Sequence, residues 1–286
     1  MPFKYAVFTV MMPEFTPEQV VSEIKKLGYK GVEWRVHNVP SRNTAAASSW
    51  GANKATIDLA TIADKAEHTR TICEDNDLEI IALGTYLSHT MLDDVERCME
   101  AAKILGCPSI RVSPPAYDGT ENFYDLCEEA ADGYARVEDL AKDYEVRANV
   151  ELHHGNLCPS ASLAYRLVSN FDPDFVGVIY DPGNMMCEGF EDWQLGLEML
   201  GPYLSHVHVK NVGWVEDSCQ EDVKHWKTQV VPMKEGIVSW EEVRLALSKV
   251  GYRGWLSIED FAPGDTLKKL ADDIAYLKSI QSTLGL

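Results

Sequence analysis

The segment SHVHVKN, residues 205–211, places three basic side chains at alternating positions. His206, His208 and Lys210 are separated by single valines. Successive side chains of a strand point to opposite faces, so these three residues would share one face of a buried strand. Imidazole is a common metal ligand, and an ammonium group is a strong hydrogen-bond donor. This face therefore predicts a metal or substrate site.

Three carboxylates follow other apolar runs. Glu151 lies in VELHH, two residues before His153, whereas Asp181 ends FVGVIYD and Glu259 lies in LSIED. A buried carboxylate without a partner is strongly unfavourable, so carboxylates gathered at one place require a cation. A divalent metal is the simplest such cation, and mixed carboxylate and imidazole ligands suit manganese, magnesium, cobalt, iron or zinc. For any one of these residues, an ordinary salt bridge at the rim of the fold is the alternative.

The elements that must position these residues alternate regularly along the chain. Short β-branched or apolar runs are followed by longer amphipathic segments, as in a parallel sheet with helical connections. The predicted strands are residues 5–10, 31–36, 78–87, 109–114, 147–154, 175–181, 204–210 and 254–260. The segments after them predict helices, of which one spans residues 57–75, and residues 213–237 are expected to form an ordered active-site loop.

Eight such units predict a (β/α)8 TIM barrel, an α/β fold, with residues 1–286 as a single domain. An open doubly wound sheet is disfavoured because no glycine-rich nucleotide-binding turn follows the first strand. In a barrel of this type the functional groups lie at the carboxyl ends of the strands. Glu151, Asp181, His208 and Glu259 all fall at such ends.

Composition limits the classes of partner. The formal net charge of −19 disfavours nucleic acid and anionic membranes as partners. The seven cysteines are scattered and form no Cys-x-x-Cys pair, which is typical of reduced thiols in a cytoplasmic protein. The first residues lack the pattern of a signal peptide, and we accordingly expect a cytoplasmic location.

The motifs together resemble a known family. VELHH, YDPGN, HVHVKN and SIEDF, with the supporting stretches GYKGVEWR and GYRGWLSIE, resemble the xylose isomerase-like TIM-barrel superfamily of sugar isomerases and epimerases. The resemblance covers essentially the whole chain. It implies that Glu151, Asp181, His208 and Glu259 bind one divalent metal ion, most commonly Mn2+, with Mg2+, Co2+, Fe2+ and Zn2+ as alternatives.

The resemblance also implies catalytic roles. In ketose epimerases of the family the two ligand glutamates move the proton, which would make Glu151 and Glu259 the acid and base here. Lyases that resemble dehydroshikimate dehydratase carry a histidine two residues after the first ligand glutamate, and His153 matches that position. Lys210 is then expected to donate a hydrogen bond to substrate or to stabilise its charge.

Two positions depart from the sugar epimerases of the family. Asn184 stands where they typically have a histidine, and Trp214 where they often have an arginine. These changes disfavour an ordinary ketohexose epimerase. Asn184 can still bind a hydroxyl, and Trp214 with Trp226 is expected to stack on a sugar face or an aromatic ring. The further expected substrate contacts are Arg111, Tyr86 and His206.

Three functions remain open from the sequence. The first is isomerisation or epimerisation of a keto sugar, through removal of a proton next to a carbonyl. The second is suggested by a resemblance to the catalytic subunit of bacterial C-glycoside deglycosidases, which eliminate an aglycone from a 3-keto glycoside beside a small partner subunit. The third is a metal-stabilised sugar-binding protein without catalysis. An apurinic-site endonuclease is disfavoured by the net charge of −19. A homo-oligomer, or a hetero-oligomer with a small subunit, is expected from the resemblance.

Overall fold

A closed barrel of eight parallel strands forms the centre of the computed structural model, which describes residues 3–39, 46–220 and 222–284. The first barrel strand pairs with both the second and the last, which closes the sheet. The barrel strands are β1 (Lys4–Phe8), β2 (Gly31–His37), β4 (Glu79–Gly84), β5 (Ser109–Arg111), β6 (Arg147–Glu151), β7 (Val176–Tyr180), β8 (Leu204–Val209) and β11 (Trp255–Ile258). The predicted TIM barrel is confirmed.

Helices surround the barrel and bury their apolar faces against the outer side of the sheet. They are α1 (Pro17–Lys26), α2 (Ile62–Glu74), α3 (Leu92–Leu105), α4 (Phe123–Tyr144), α5 (Ala161–Val168), α6 (Pro182–Cys187), α7 (Trp193–Leu200), α8 (Trp240–Lys249) and α9 (Thr266–Leu284). Within the described ranges, no helix combines the length and apolar character needed to cross a bilayer.

Capping residues at the helix ends explain where these helices begin and end. Pro17 occupies the first turn of α1, and the side chain of Gln19 accepts a hydrogen bond from the Thr16 amide at 2.9 Å. Gly106 ends α3 with a φ of 68°, a left-handed conformation that costs glycine little.

Two predicted segments differ from the structure. Residues 57–75 were expected to be one helix, but Ile57–Asp58 form the short strand β3, which pairs with the end of β2. The Asp58 carboxylate then accepts from the amide of Ala60, and α2 begins only at Ile62. The last residues of β2, Val36 and His37, provide the strand edge with which β3 pairs.

The expected loop at residues 213–237 contains an antiparallel hairpin. Its strands are β9 (Val212–Gln220) and β10 (Val223–Val230). Most described side chains of β10 are exposed, so its sequence lacks the alternation of apolar and polar residues that identifies a half-buried strand. The hairpin lies beside the carboxyl end of the barrel, where Thr228 and Val230 help to line a cavity.

The interior of the barrel changes from apolar to polar along its axis. Ala6, Ile81 and Ala82 form a small apolar cluster inside, against which Trp255 packs. Nearer the carboxyl ends of the strands, buried polar side chains such as Glu33 and Ser257 replace it. The barrel can therefore hold charge at that end, provided that each charged group finds a partner.

Close packing around Gly84 supports this polar layer. A Cβ atom at Gly84 would overlap the ring of Phe8, and the Phe8 ring stacks on His208 with centroids 5.5 Å apart. We expect Gly84→Ala to lower the free energy of unfolding by about 1–3 kcal/mol, because overpacking forces neighbouring groups to shift. Urea denaturation measures this change. Gly213→Ala is the control, since its nearest neighbour would be 3.6 Å away. Equal losses in the two variants would contradict the packing argument.

Candidate metal centre

The carboxyl ends of four adjacent strands bring the four predicted metal ligands together. Glu151 ends β6, Asp181 follows β7, His208 lies on β8 and Glu259 follows β11. One ligand atom from each lies within 4.8 Å of the others, and all four side chains are buried. Carboxylates and an imidazole at this spacing form a candidate site for a divalent ion.

His208 lies at the centre of the cluster. Its Nδ1 is 2.8 Å from Glu151 Oε1 and faces the other two predicted ligands, Asp181 and Glu259. Its Nε2 is 3.1 Å from Glu33 Oε2 on the opposite side. A carboxylate that accepts from one ring nitrogen fixes the tautomer and leaves the other nitrogen for a metal. Although burial opposes its charged form, Glu33 and the other carboxylates raise the pKa of His208.

Glu33 supports His208 from below. The Glu33 carboxylate is fully buried, accepts from Ser257 Oγ at 2.8 Å and lies 3.3 Å from His206 Nε2. Burial alone would raise its pKa, but the neighbouring imidazoles of His208 and His206 lower the pKa of Glu33. Sequence analysis missed this role, since the alternation on β2 marks Glu33 as inward-facing without showing which strand it contacts.

Asp181 is held by the start of the next helix. It caps α6, where its Oδ1 accepts from the Asn184 amide at 2.9 Å and its Oδ2 from Asn184 Nδ2 at 2.7 Å. Asn184 Nδ2 also donates to the Leu152 carbonyl at 3.0 Å. Asn184 lines the adjacent cavity, as expected for a substrate contact. Its side-chain nitrogen Nδ2, however, already donates to the Asp181 carboxylate and the Leu152 carbonyl. Its main structural effect is to orient Asp181.

Lys210 contacts the predicted ligands directly. Its Nζ lies 2.5 Å from Asp181 Oδ2 and also forms an ion pair with Glu259. Burial opposes the charge of Lys210, but Asp181 and Glu259 raise its pKa. A Cβ at Gly183 would lie 2.6 Å from Lys210 Cγ, so the glycine of DPGN makes room for this side chain. Lys210 was expected to point to substrate; the structure also places it among the ligands.

Arg111 neutralises Glu151. Its Nη1 lies 2.5 Å from Glu151 Oε2, and its Nε donates to the Thr85 carbonyl at 2.8 Å. Its guanidinium also lies over the ring of Tyr86, 4.6 Å from the centroid. Burial opposes ionisation of Glu151, but Arg111 and then His208 lower the pKa of Glu151 well below its usual range. Arg111 therefore fixes a predicted ligand while it also lines the cavity.

The charges of the cluster fit a divalent cation. Four buried carboxylates face two cations, Arg111 and Lys210. Since His208 must be neutral to bind a metal, two negative charges would be in excess at the site that receives the ion. The carboxylates are Glu33, Glu151, Asp181 and Glu259. A buried excess of this size is costly unless a further cation offsets it. The donor set and its charge both fit one divalent ion.

A cavity of about 680 Å³ opens above the cluster. Glu151, Asn184, Lys210 and Glu259 form its floor, and His153 lies in its wall. His153 Nδ1 is 2.6 Å from the backbone carbonyl of His154. Because a carbonyl only accepts, Nδ1 carries the proton in the neutral ring and Nε2 has the free lone pair. This tautomer suits a base.

The aromatic wall of the cavity differs from the expected one. Trp214 and Trp226 are 45% and 55% exposed on the hairpin, and neither lines the cavity. Trp214 Nε1 instead donates to the Met186 carbonyl at 3.1 Å. Trp50, Phe261 and the predicted residue Tyr86 line it. The expected stacking role of Trp214 is thus corrected, because its indole is held at the Met186 carbonyl and does not line the cavity.

The two new aromatic residues pack against each other. The ring centroids of Trp50 and Phe261 are 4.9 Å apart. Phe261 follows Glu259 by two residues, which was a usable signal, whereas Trp50 lies in a polar segment without a periodic pattern. The expected substrate contact of His206 is also corrected, because His206 is buried beside Glu33 and does not line the cavity.

Comparison with known proteins places the chain in a family. The model of the xylose isomerase-like TIM barrel family matches residues 21–280, and the chain belongs to this family. The inosose dehydratase of Clostridium botulinum (strain Eklund 17B / Type B) is 26% identical over 275 residues, covering 86% of this chain and 82% of the relative. The family predicted from the motifs is confirmed.

Solved structures share the fold. The 3-keto-D-glucoside 4-epimerase YcjR from E. coli, in its apo form, aligns with a TM-score of 0.73 and 14% identity over 97% of this chain and 100% of its own. The IolI protein with a bound zinc atom aligns with a TM-score of 0.74 and 15% identity, over 98% and 99% of the two chains. At this level of identity, these likenesses show the fold alone. The prediction of an enzyme is confirmed by the family and by the sequence relatives, which are named as dehydratases.

The role of Glu33 gives a test of the metal centre. We expect Glu33→Gln to weaken binding of a divalent ion by about 10- to 100-fold, because the variant removes the charge that orients His208. Competition titration with a metal-sensitive dye, using Mn2+ and Zn2+ separately, measures the affinity. Glu79→Gln, at an exposed glutamate paired with Lys4, is the matched control. Unchanged affinity in Glu33→Gln would show that His208 does not depend on this carboxylate.

Proposed function

We propose that the protein is a metal-dependent enzyme that removes the proton next to the carbonyl of a keto sugar or keto cyclitol. The observation that carries this proposal is that His153, with a free lone pair on Nε2, lines the same cavity as the predicted metal ligands Glu151 and Glu259. A base beside an electrophilic centre is the arrangement that this reaction needs.

The ligand glutamates are weaker candidates for the base. Glu151 is paired with Arg111, and its pKa is lowered accordingly, while Glu259 is paired with Lys210. The lowered pKa of Glu151 makes it a poor proton acceptor, and the ion pair with Lys210 occupies the Glu259 carboxylate. His153 Nε2 has a lone pair that is free to accept a proton. We therefore assign proton removal to His153, and charge stabilisation to the cluster below it.

The proposed reaction begins with transfer of the α-proton to His153 Nε2. The electron pair of the broken C–H bond moves to the carbonyl oxygen and gives an enolate or enediolate. A divalent ion held by Glu151, Asp181, His208 and Glu259 would stabilise the negative charge that develops on this oxygen. Lys210 adds a hydrogen-bond donor on the same floor of the cavity.

Two outcomes can follow from this intermediate. If the hydroxyl on the neighbouring carbon leaves, the imidazolium of His153 protonates it and one water is released. If the proton returns to carbon instead, the product is an isomer or epimer. We favour elimination, because Asn184 replaces the histidine of the sugar epimerases and the relative of 26% identity is an inosose dehydratase.

A second candidate is elimination of an aglycone from a 3-keto glycoside. The cavity of about 680 Å³ exceeds the space that one monosaccharide fills, and Trp50, Tyr86 and Phe261 line it with aromatic rings. Such rings suit an aromatic aglycone. This reaction shares its first step with the first candidate.

Product analysis separates the candidates. The protein, loaded with Mn2+, Mg2+ or Zn2+ in turn, is incubated in deuterated water with an inosose, with free ketoses and with 3-keto C- and O-glycosides. Loss of one water from the inosose supports dehydration, an altered ketose supports isomerisation, and a released aglycone supports the second candidate. Absence of both deuterium uptake and product formation with every substrate would favour a binding protein without catalysis.

Substitution of His153 tests the base. We expect His153→Gln to slow deuterium exchange at the α-carbon by about 10²- to 10⁴-fold, the usual contribution of a general base, with metal affinity retained. NMR follows the exchange. His225→Gln is the control, because His225 is exposed on β10 and does not line the cavity. Exchange at the wild-type rate in His153→Gln would transfer the role to Glu151 or Glu259.

Assembly stays a prediction of the family resemblance. Light scattering of the purified chain measures its oligomeric state. A small protein that co-purifies with it in stoichiometric amount would support the deglycosidase candidate.

A further inference from the structure

A second cavity of about 350 Å³ lies next to the first. Trp50 lines both cavities. Three basic residues line the second cavity: Arg35 and His37 at the end of β2, and Lys54 in the segment before β3. No Asp or Glu is among its lining residues within the described ranges. This composition contrasts with the net charge of −19 of the whole chain.

Arg35 is buried without a carboxylate partner. The residue is only 4% exposed, and its guanidinium donates to the hydroxyls of Thr56 at 2.5 Å and Tyr86 at 3.4 Å. Among residues 3–39, 46–220 and 222–284, no carboxylate lies within the 4.0 Å of an ion pair with it. Residues 40–45, outside the described part, include no Asp or Glu in the sequence.

Neutral hydroxyls offset the charge of Arg35 only in part. A buried cation is unfavourable without an anion, and a guanidinium binds carboxylate or phosphate through two parallel hydrogen bonds. The buried cations of the first cavity already pair with carboxylates, Arg111 with Glu151, and Lys210 with Asp181 and Glu259. Among the described residues that line the two cavities, Arg35 is therefore the buried arginine or lysine without a carboxylate partner.

The neighbouring groups can add donors. His37 Nδ1 accepts from the Asn38 amide at 2.9 Å, so its proton lies on Nε2. The ammonium of Lys54 lies at the exposed rim. Asp58 is near, but its carboxylate accepts from the amides of Val39 and Ala60, and the residue does not line the cavity.

Tyr86 connects the two cavities. Its ring lies under the guanidinium of Arg111 at 4.6 Å and that of Arg35 at 5.2 Å, measured to the centroid. Its side chain also lines the first cavity. A substrate whose carbonyl lies over the predicted metal ligands can thus extend past Tyr86 and Trp50 toward Arg35.

We propose that the second cavity is a subsite for a carboxylate or phosphate group of the substrate, bound by Arg35 with His37 and Lys54. This inference rests on the proposed function and narrows its substrate to an acidic keto compound. The reacting carbonyl would lie in the first cavity and the anionic group in the second. Because the net charge of the protein repels anions at a distance, recognition depends on these local donors.

Direct binding of small anions tests the subsite without catalysis. Calorimetry at low ionic strength measures binding of inorganic phosphate and, separately, of acetate to the metal-loaded protein. We expect one of these anions to bind to the wild type, and Arg35→Gln to weaken that binding by about 10- to 100-fold, as for loss of a charged hydrogen-bonded pair. Which anion binds distinguishes a phosphate substrate from a carboxylate.

Two further variants are controls for this measurement. Arg253→Gln removes an exposed arginine that donates to the neighbouring carbonyl of Tyr252, and we expect this variant to bind the anion like the wild type. Arg35→Lys keeps the charge and is expected to retain part of the affinity, which separates loss of the cation from loss of folding. Failure of both anions to bind, or equal binding by wild type and Arg35→Gln, would overturn the proposal.

Exchange kinetics then connect the subsite to the reaction. Deuterium exchange is compared for D-fructose, D-fructose 6-phosphate and D-fructuronate. We expect Arg35→Gln to raise KM for the preferred acidic compound by at least about tenfold, with kcat little changed, because the subsite binds a group remote from the reacting carbon. An unchanged KM overturns the subsite. If wild type neither exchanges nor converts any of these compounds, or any of the inosose, ketose and 3-keto glycoside substrates, in any metal form, the proposed function fails, while the anion-binding result still decides the subsite.

Discussion

An excess of buried negative charge at the carboxyl end of the barrel is the constraint on which the surrounding structure depends. Glu151, Asp181 and Glu259 converge within a few ångströms, and Glu33 adds a fourth carboxylate below them. Such a cluster persists only if cations and donors offset it. Arg111, Lys210 and the imidazole of His208 do so in part, and each needs its own support.

That support explains several features that have no catalytic role of their own. The Thr85 carbonyl orients Arg111, and the absence of a side chain at Gly183 makes room for Lys210. Phe8 packs on His208, and Gly84 leaves space for Phe8. The polar layer of the barrel is thus assembled from contacts between strands that are distant in sequence. Substitution of any of these residues would displace a charged side chain of the cluster as well as remove a packing contact.

The sequence predicted the barrel and the four converging side chains because both follow from periodicity. Alternation places His208 and Glu151 on inner faces, and parallel strands bring their ends together. The partners were harder to predict. The position of Lys210 directly after β8 gives its height in the barrel, but not whether its flexible side chain points to substrate or to Asp181. The hairpin was missed because its exposed strands lack an apolar face, and its position removed Trp214 from the cavity.

The arrangement of cations along β2 and β8 suggests why an acidic substrate would need two separate sites. Residues two apart on a strand are about 6.6 Å apart along it, so Glu33 and Arg35 lie at successive heights. With a divalent ion bound, the excess of two negative charges in the cluster would be balanced, and removal of the α-proton would add one more to the carbonyl oxygen. A second negative charge on the substrate would repel this developing charge if both lay over the same cations. If Arg35, beyond Tyr86, binds the anionic group of the substrate, each negative charge of the substrate has a separate cation. The electrostatic stabilisation at the metal centre then acts on the reacting carbonyl oxygen alone.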